Sequence, residues 1–151
     1  MKYDDMVFRG CDDVKILALC IYGEARGEGI EGMLGVGAVV CNRARQTKKT
    51  IKHICLEPKQ FSCFNPGDPN REVLEQLALK WNDYIQTNKT LRTAFWIARG
   101  LVEGFLYSNV GDATHYHADS VSPSWNRAMT RVRQIRRHIF WWDAEYARRQ
   151  R

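Results

Sequence analysis

KILALCIYGEARGEGIEGMLGVGAVVCNRAR, residues 15–45, decides how the rest of the chain is read. Ile16, Leu17, Cys20, Ile21 and Glu24 follow one helical stripe. Asp12 and Asp13 stand ahead of it as capping residues. The spacing predicts a helix over 12–25, broken by Gly27 and Gly29. Glu24 then shares the apolar face, one turn beyond the last apolar residues. A second helix is predicted over 30–45. Its Gly32, Gly35 and Gly37 each lower intrinsic propensity by up to ~1 kcal/mol. A helix carrying that load is expected to pack closely against another element.

The place of Glu24 has chemical consequences. Desolvation by the apolar face and the negative end of the helix dipole both disfavour a carboxylate there. That is the direction a general acid working near neutral pH requires. The surrounding glycines leave room for a bulky substrate. Two readings stand at this point: a general acid, or a helix-end glutamate bonded to Arg26. Glu28 is a candidate second carboxylate of a glycosidase pair. A structural role, holding the turn or pairing with an arginine, suits Glu28 better, and Glu31 is expected to face solvent.

Beyond this stretch, a short helical turn is expected over 50–56. EPKQFSCFNPGDPN, residues 57–70, is a long loop with three prolines and a glycine. Such loops are often functional. A third helix is expected over 71–86, with Val73, Leu74, Leu77, Trp81, Tyr84 and Ile85 facing inward, and a fourth over 90–106. Extended pieces around 113–117 and 134–141 are expected to pair as a small hairpin-like sheet. DAEYARRQR, from Asp143, reads as a short helix or a frayed end.

The chain has 151 residues, which suits a single domain spanning 1–151. Its 44% hydrophobic content, with five Trp, six Tyr and six Phe, is enough for a core and excludes a disordered chain. Neither a P-loop nor a dinucleotide fingerprint is present. The N-terminus does not read as a secretory signal, and no run approaches a membrane span. The five cysteines are odd in number and lack C-x-x-C spacing, which argues for free buried thiols over a disulfide framework or a cysteine zinc site. Cys55 and Cys63 form the one pair worth checking. A net charge of +6 favours polyanionic partners: nucleic acid, anionic lipid or an anionic wall polymer. Arginines crowd the last quarter, at 127, 131, 133, 136, 137, 148, 149 and 151.

Four separated motifs now point one way. They are GEARGE with Glu24, followed by Val40, Asn42 and Arg43; Pro58, Gln60, Phe61 and Ser62; Ala113, Tyr116, Pro123 and Trp125; and Ile135, His138 and Phe140. In this order they resemble the SleB-type cell wall hydrolases, a family of spore-cortex-lytic enzymes and bacteriophage endolysins. The likeness spans roughly residues 12–141. Arg136 departs from it, standing where the family has glycine.

The resemblance implies an α+β, mostly helical, lysozyme-like domain with a small antiparallel sheet. It implies cleavage of the β-1,4 bond between N-acetylmuramic acid and N-acetylglucosamine, with Glu24 as the catalytic residue. A lytic transglycosylase would use this one carboxyl group for both proton transfers and leave a 1,6-anhydro sugar; a hydrolytic muramidase is the alternative. Gln60, Phe61, Ser62, Tyr116, His117 and Trp125 are the expected substrate-binding residues, since sugars need polar partners and aromatic surface. No cofactor or metal is expected. The expected partners are peptidoglycan glycan strands and, through the basic 144–151 tail, the anionic outer-membrane surface. A monomer is expected, made in the host cytoplasm without a signal peptide and acting on the wall after release, as an endolysin does.

Two other readings compete. His115, His117 and Asp119 form an H-x-H-x-D run whose alternate side chains share a strand face, a plausible zinc amidase or peptidase geometry. RVRQIRR with Trp141 and Trp142 would suit a nucleic-acid binder. Neither explains GEARGE or QFS.

Overall fold

The structure is a computed structural model that describes residues 6–150. Its elements are α1 (Met6–Arg9), α2 (Asp13–Ala25), α3 (Gly29–Thr47), α4 (Ile51–Leu56), a 3-10 turn (Ser62–Phe64), α5 (Pro69–Leu79), α6 (Trp81–Thr87) and α7 (Lys89–Glu103). After these come β1 (His115–Ala118), β2 (Thr130–Ile135), β3 (His138–Trp142) and α8 (Tyr146–Arg149). The result is a mostly helical α+β fold with one small antiparallel sheet.

α2 is the axis of the molecule. Asp12 caps it, accepting a hydrogen bond from the Lys15 amide at 2.8 Å. Every side chain from Ile16 to Ile21 is fully buried. A helix apolar on all sides belongs in the interior, and α3, α4, α5 and α7 pack around this one. The glycine load of α3 has the expected cause. A Cβ on Gly37 would lie 2.7 Å from Leu101 Cδ1 and 2.9 Å from Ile21 Cδ1, so α3 could not approach α2 and α7 so closely.

The helix expected over 71–86 is two helices. It starts earlier, where the Asp68 side chain accepts from the Asn70 amide at 2.9 Å, and it breaks at Lys80 (φ −117°, ψ 38°). The break turns buried Trp81 edge-on to Phe95 of α7, with ring centroids 5.6 Å apart. Leu74 and Leu77 are buried, but Val73 is exposed. α7 stops at Glu103, short of the expected 106, because Gly104 takes a left-handed conformation with φ 85°.

The sheet runs β1-β3-β2, all antiparallel. The stretch expected to be extended over 134–141 is a hairpin, with Arg136 and Arg137 forming its two-residue connection. Arg136 has φ 49°. The first residue of a two-residue hairpin loop needs positive φ, the position usually given to glycine.

The 57–68 loop is pinned rather than loose. Phe61 and Phe64 are buried, and Phe64 meets Phe8 edge-on at 5.3 Å. Buried Arg71 donates to the Phe64 carbonyl at 2.7 Å and to Glu75 at 2.8 Å. The C-terminal segment is docked as well. Tyr146 is buried against His115, and Arg149 pairs with buried Asp143 at 3.0 Å. Arg151, counted with the basic tail, lies outside the described residues. Cys55 and Cys63 are buried free thiols. No helix among the described residues is long and apolar enough to cross a membrane.

Candidate active site

Glu24 occupies the last turn of α2 with its carboxylate half-buried. Three groups converge on it. The Tyr116 hydroxyl from β1 donates to Oε1 at 2.5 Å. The Cys63 amide donates to Oε2 at 3.2 Å, and the Ser62 hydroxyl to the same oxygen at 3.3 Å. Gly23 makes this possible. A Cβ there would stand 2.6 Å from Cys63 Cβ and 2.8 Å from its Sγ, pushing the 3-10 turn off the carboxylate. Arg26 does not fold back onto Glu24. Its guanidinium donates to the Tyr22 carbonyl at 3.2 Å and to Asn70 Oδ1 at 2.7 Å.

The carboxylate opens into a cleft of about 320 Å³, walled on one side by Gly23–Glu28 and on the other by Ala118, Asp119, Ser120, Arg137 and His138. Glu28 is also in this wall, but its carboxylate is occupied. The Arg137 amide donates to Oε1 at 3.1 Å, and Nε and Nη2 donate to Oε2 at 3.0 and 2.5 Å. Burial works to raise its pKa, and the hydrogen bonds from the Arg137 side chain and amide, with the nearby charges of His138 and Arg137, outweigh it and hold it below the usual range. Glu28 ties the hairpin connection to the start of α3, which is a structural role. Asp119, opposite, is exposed and accepts from Gln134 Nε2 at 3.2 Å.

Tyr116 packs its ring on His138 (5.0 Å) and Phe140 (5.7 Å). Burial first, then the charge of Glu24, pushes its phenol well above the ordinary value, so it remains a donor. His138 gave no signal in the sequence beyond its place in a motif. It lines the cleft, and its Nδ1 has no partner among the described residues. Burial holds its pKa down, against the opposing charges of Glu28 and Glu24.

The remaining expected binding residues divide. Ser62 reaches Glu24, as above. Phe61 is 2% exposed and belongs to the core, with the Arg43 guanidinium over its ring at 5.3 Å; it has no surface to offer a sugar. Gln60 accepts from Arg43 at 3.1 Å instead of facing Glu24. His117 points to the opposite face of the sheet from Tyr116, as the two-residue period of a strand demands, and Trp125, from the turn after β1, packs against it there. There His117 stacks on Trp141 at 6.1 Å and meets Trp125 edge-on at 5.7 Å. His115 is on that face too, its ring 5.2 Å from Trp125. Among the described residues no three His, Cys, Asp or Glu side chains are placed to hold a metal ion.

Asn42 and Arg43 carry a role that the sequence marked only as a motif. Buried Asn42 donates to the Gly111 and Ala113 carbonyls at 3.0 and 2.9 Å. Buried Arg43 donates to the Thr114 carbonyl at 2.6 Å. They staple the approach to β1 onto α3, and so set where Tyr116 stands.

A mostly helical domain and a three-stranded sheet, with Glu24 at the mouth of the cleft between them, make a lysozyme-like fold. Residues 27–141 match the Cell Wall Hydrolase family, and the chain belongs to that family. It is 28% identical over 132 residues to the spore cortex-lytic enzyme of Oceanobacillus iheyensis, covering 85% of this chain and 41% of that one. Against the spore cortex-lytic enzyme of Bacillus subtilis the identity is again 28%, covering 85% and 37%. The chain thus spans roughly two fifths of these relatives' length. The solved catalytic domain of the germination-specific lytic transglycosylase SleB from Bacillus anthracis superposes with a TM-score of 0.61 at 24% identity, covering 89% of this chain and 98% of that one. The catalytic domain of Bacillus cereus SleB gives 0.61 at 23% identity, covering 86% and 89%. At these identities the two structures establish the fold.

Proposed function

We propose that this protein cleaves the β-1,4 bond between N-acetylmuramic acid and N-acetylglucosamine in peptidoglycan, as a lytic transglycosylase with Glu24 as its catalytic residue. The observation that carries this reading is the state of the two glutamates. Glu24 faces the cleft and is steadied by Tyr116, Ser62 and Cys63, whereas Glu28 is consumed by Arg137. One carboxyl group must then serve both proton transfers. Protonated Glu24 gives its proton to the glycosidic oxygen as the C1–O bond breaks. The resulting carboxylate takes the proton of the muramic C6 hydroxyl, whose oxygen closes onto C1. Atoms balance without water, and the product is a 1,6-anhydro sugar. A hydrolytic muramidase is the second reading, and exposed Asp119 on the far wall is the observation that favours it.

The test is mass spectrometry of products from purified peptidoglycan, with the native protein beside Glu24→Gln. Anhydro-muropeptides from the native protein, with a loss of at least about 10³-fold in the variant, are expected. Reducing-end products would move the assignment to a muramidase. Equal cutting by a folded Glu24→Gln protein would remove Glu24 from the mechanism.

The setting we propose is that of a bacteriophage endolysin, made in the host cytoplasm and acting after release. Its net charge of +6 suits an anionic wall. Expression in a Gram-negative host should lyse cells only once the inner membrane is opened. Lysis without that opening would overturn the setting.

A further inference from the structure

The hairpin connection carries two arginines: Arg137 lines the cleft and is neutralised, and Arg136, beside it in the chain, is not. Arg137 lies over Gly27, its Nη2 3.5 Å from where a Cβ would be, and bonds Glu28. Arg136 lies over Gly29, with Cζ and Nη2 both 2.8 Å from the corresponding point. Its guanidinium has no hydrogen-bond or ion-pair partner among the described residues; the one bond recorded for Arg136 is its carbonyl accepting from Gln134 at 2.9 Å. Glu28, between the two glycines, is already saturated by Arg137. Asp119 is bonded to Gln134. An exposed, uncompensated cation therefore stands over Gly29. Gly29 is next in the chain to Glu28 and Arg136 to Arg137, and Glu28 and Arg137 both line the cleft that holds Glu24.

Its backbone sharpens the point. Arg136 holds φ 49°, where a side chain is strained and glycine is at ease. The turn does not need the arginine; glycine would close it with less strain. The neighbouring Gly29 in turn supplies the bare backbone against which the guanidinium lies. A planar guanidinium with its donors free is suited to grasp a carboxylate in a bidentate manner.

We propose that Arg136 is a specificity residue that binds a carboxylate of the acidic peptide stem carried by muramic acid, so that the protein prefers stem-bearing glycan over bare glycan. This rests on the peptidoglycan reading above. With the stem attached the muramic lactyl carboxyl is an amide and the free carboxylates lie out on the stem; an amidase that removes the stem leaves a carboxylate at the lactyl group, so stripping moves the negative charge to the sugar ring rather than abolishing it. A cation one hairpin residue from the cleft wall meets the stem as it leaves the sugar chain.

The experiment compares kcat/KM on soluble, uncrosslinked glycan strands with stems intact and on the same strands stripped of stems by an amidase. The native protein should prefer the stem-bearing strands by about tenfold or more, the scale of one charge-assisted contact. Arg136→Gly, which suits the turn and removes the charge, should bring the ratio close to one. Arg136→Lys, which keeps the charge without the bidentate fork, should restore only part of the preference, and raised salt should weaken it in the native and lysine proteins but not in Arg136→Gly. An equal ratio in the native and Arg136→Gly proteins, with both strands cut, overturns this inference and leaves the function standing. Failure of the native protein to cut either strand overturns both.

Discussion

Tyr116 gives Glu24 its shortest hydrogen bond, at 2.5 Å, from a phenol that burial and the carboxylate's own charge keep protonated. It touches Glu24, the proposed catalytic group, and not the bond to be broken, so under that proposal it acts as a positioning residue. Tyr116→Phe keeps the packing on His138 and Phe140 and removes only the donor. Loss of one such donor should lower kcat by about 10²-fold, with KM little changed, because the hydroxyl is committed to Glu24. A fall in activity that sits in KM would show the hydroxyl contacting substrate; an unchanged kcat would remove the positioning role. At this scale the sequence was informative about Glu24, because a carboxylate continuing an apolar stripe is a local pattern. It was uninformative about Phe61 and Trp125. A sequence motif does not say which side of the backbone an aromatic ring takes, and for these two residues, neither of them in a strand, tertiary packing settles it.

Elements place these residues, and their couplings carry a pH dependence. β1 sits between two environments: Tyr116 looks into the cleft, while His115 lies among Trp125, Tyr146 and Arg43. Burial, then the charge of Arg43, depresses the His115 pKa to about 4, with Asp143 opposing and Arg149 adding to the fall. The unfolded chain titrates this histidine near 6.5. Between those values the unfolded chain binds the extra proton, so the stabilisation is complete above 6.5 and is lost as pH falls through about 4. Urea midpoints of the native protein should therefore slope downward over that window, and His115→Gln should flatten the slope. Parallel slopes in the two proteins would mean that His115 does not titrate with folding. α2, α3 and α4 were legible because apolar spacing and cap residues are local features. The break at Lys80 was not, since it serves a contact between Trp81 and Phe95 that lie far apart in sequence. The β2–β3 turn was hidden for a related reason: Arg136 occupies a left-handed position that glycine would have advertised.

Across the whole molecule, the arginines of the last quarter do not form one basic surface. Arg137 lines the cleft and Arg136 lies over Gly29, whereas Arg148 and Arg149 are paired with Glu145 and Asp143. The basic segment, expected to be a short helix or a frayed end, forms the short helix α8 and is docked on the fold. Tyr146 is buried at 5% exposure under Arg43, whose guanidinium lies 5.3 Å from its ring, and Asp143, at 3%, depends on Arg149 for its charge partner. Deleting 144–151 exposes the surface that Tyr146 covers and strands a buried carboxylate. The cost should be about 3 kcal/mol, after discounting the half-exposed Arg149 for solvent screening. A denaturation midpoint equal to that of the full chain would contradict this. Loss of lysis by the truncated protein would therefore report a damaged domain as readily as lost attachment to anionic lipid. Arg148→Gln separates the two. It removes a tail charge whose partner, Glu145, is exposed, and leaves Tyr146 and Asp143 in place. The midpoint of that variant should match the native one. A drop in its lysis of intact, outer-membrane-bearing cells, with wall cleavage unchanged, would assign the tail a surface role; unchanged lysis would leave it a structural one.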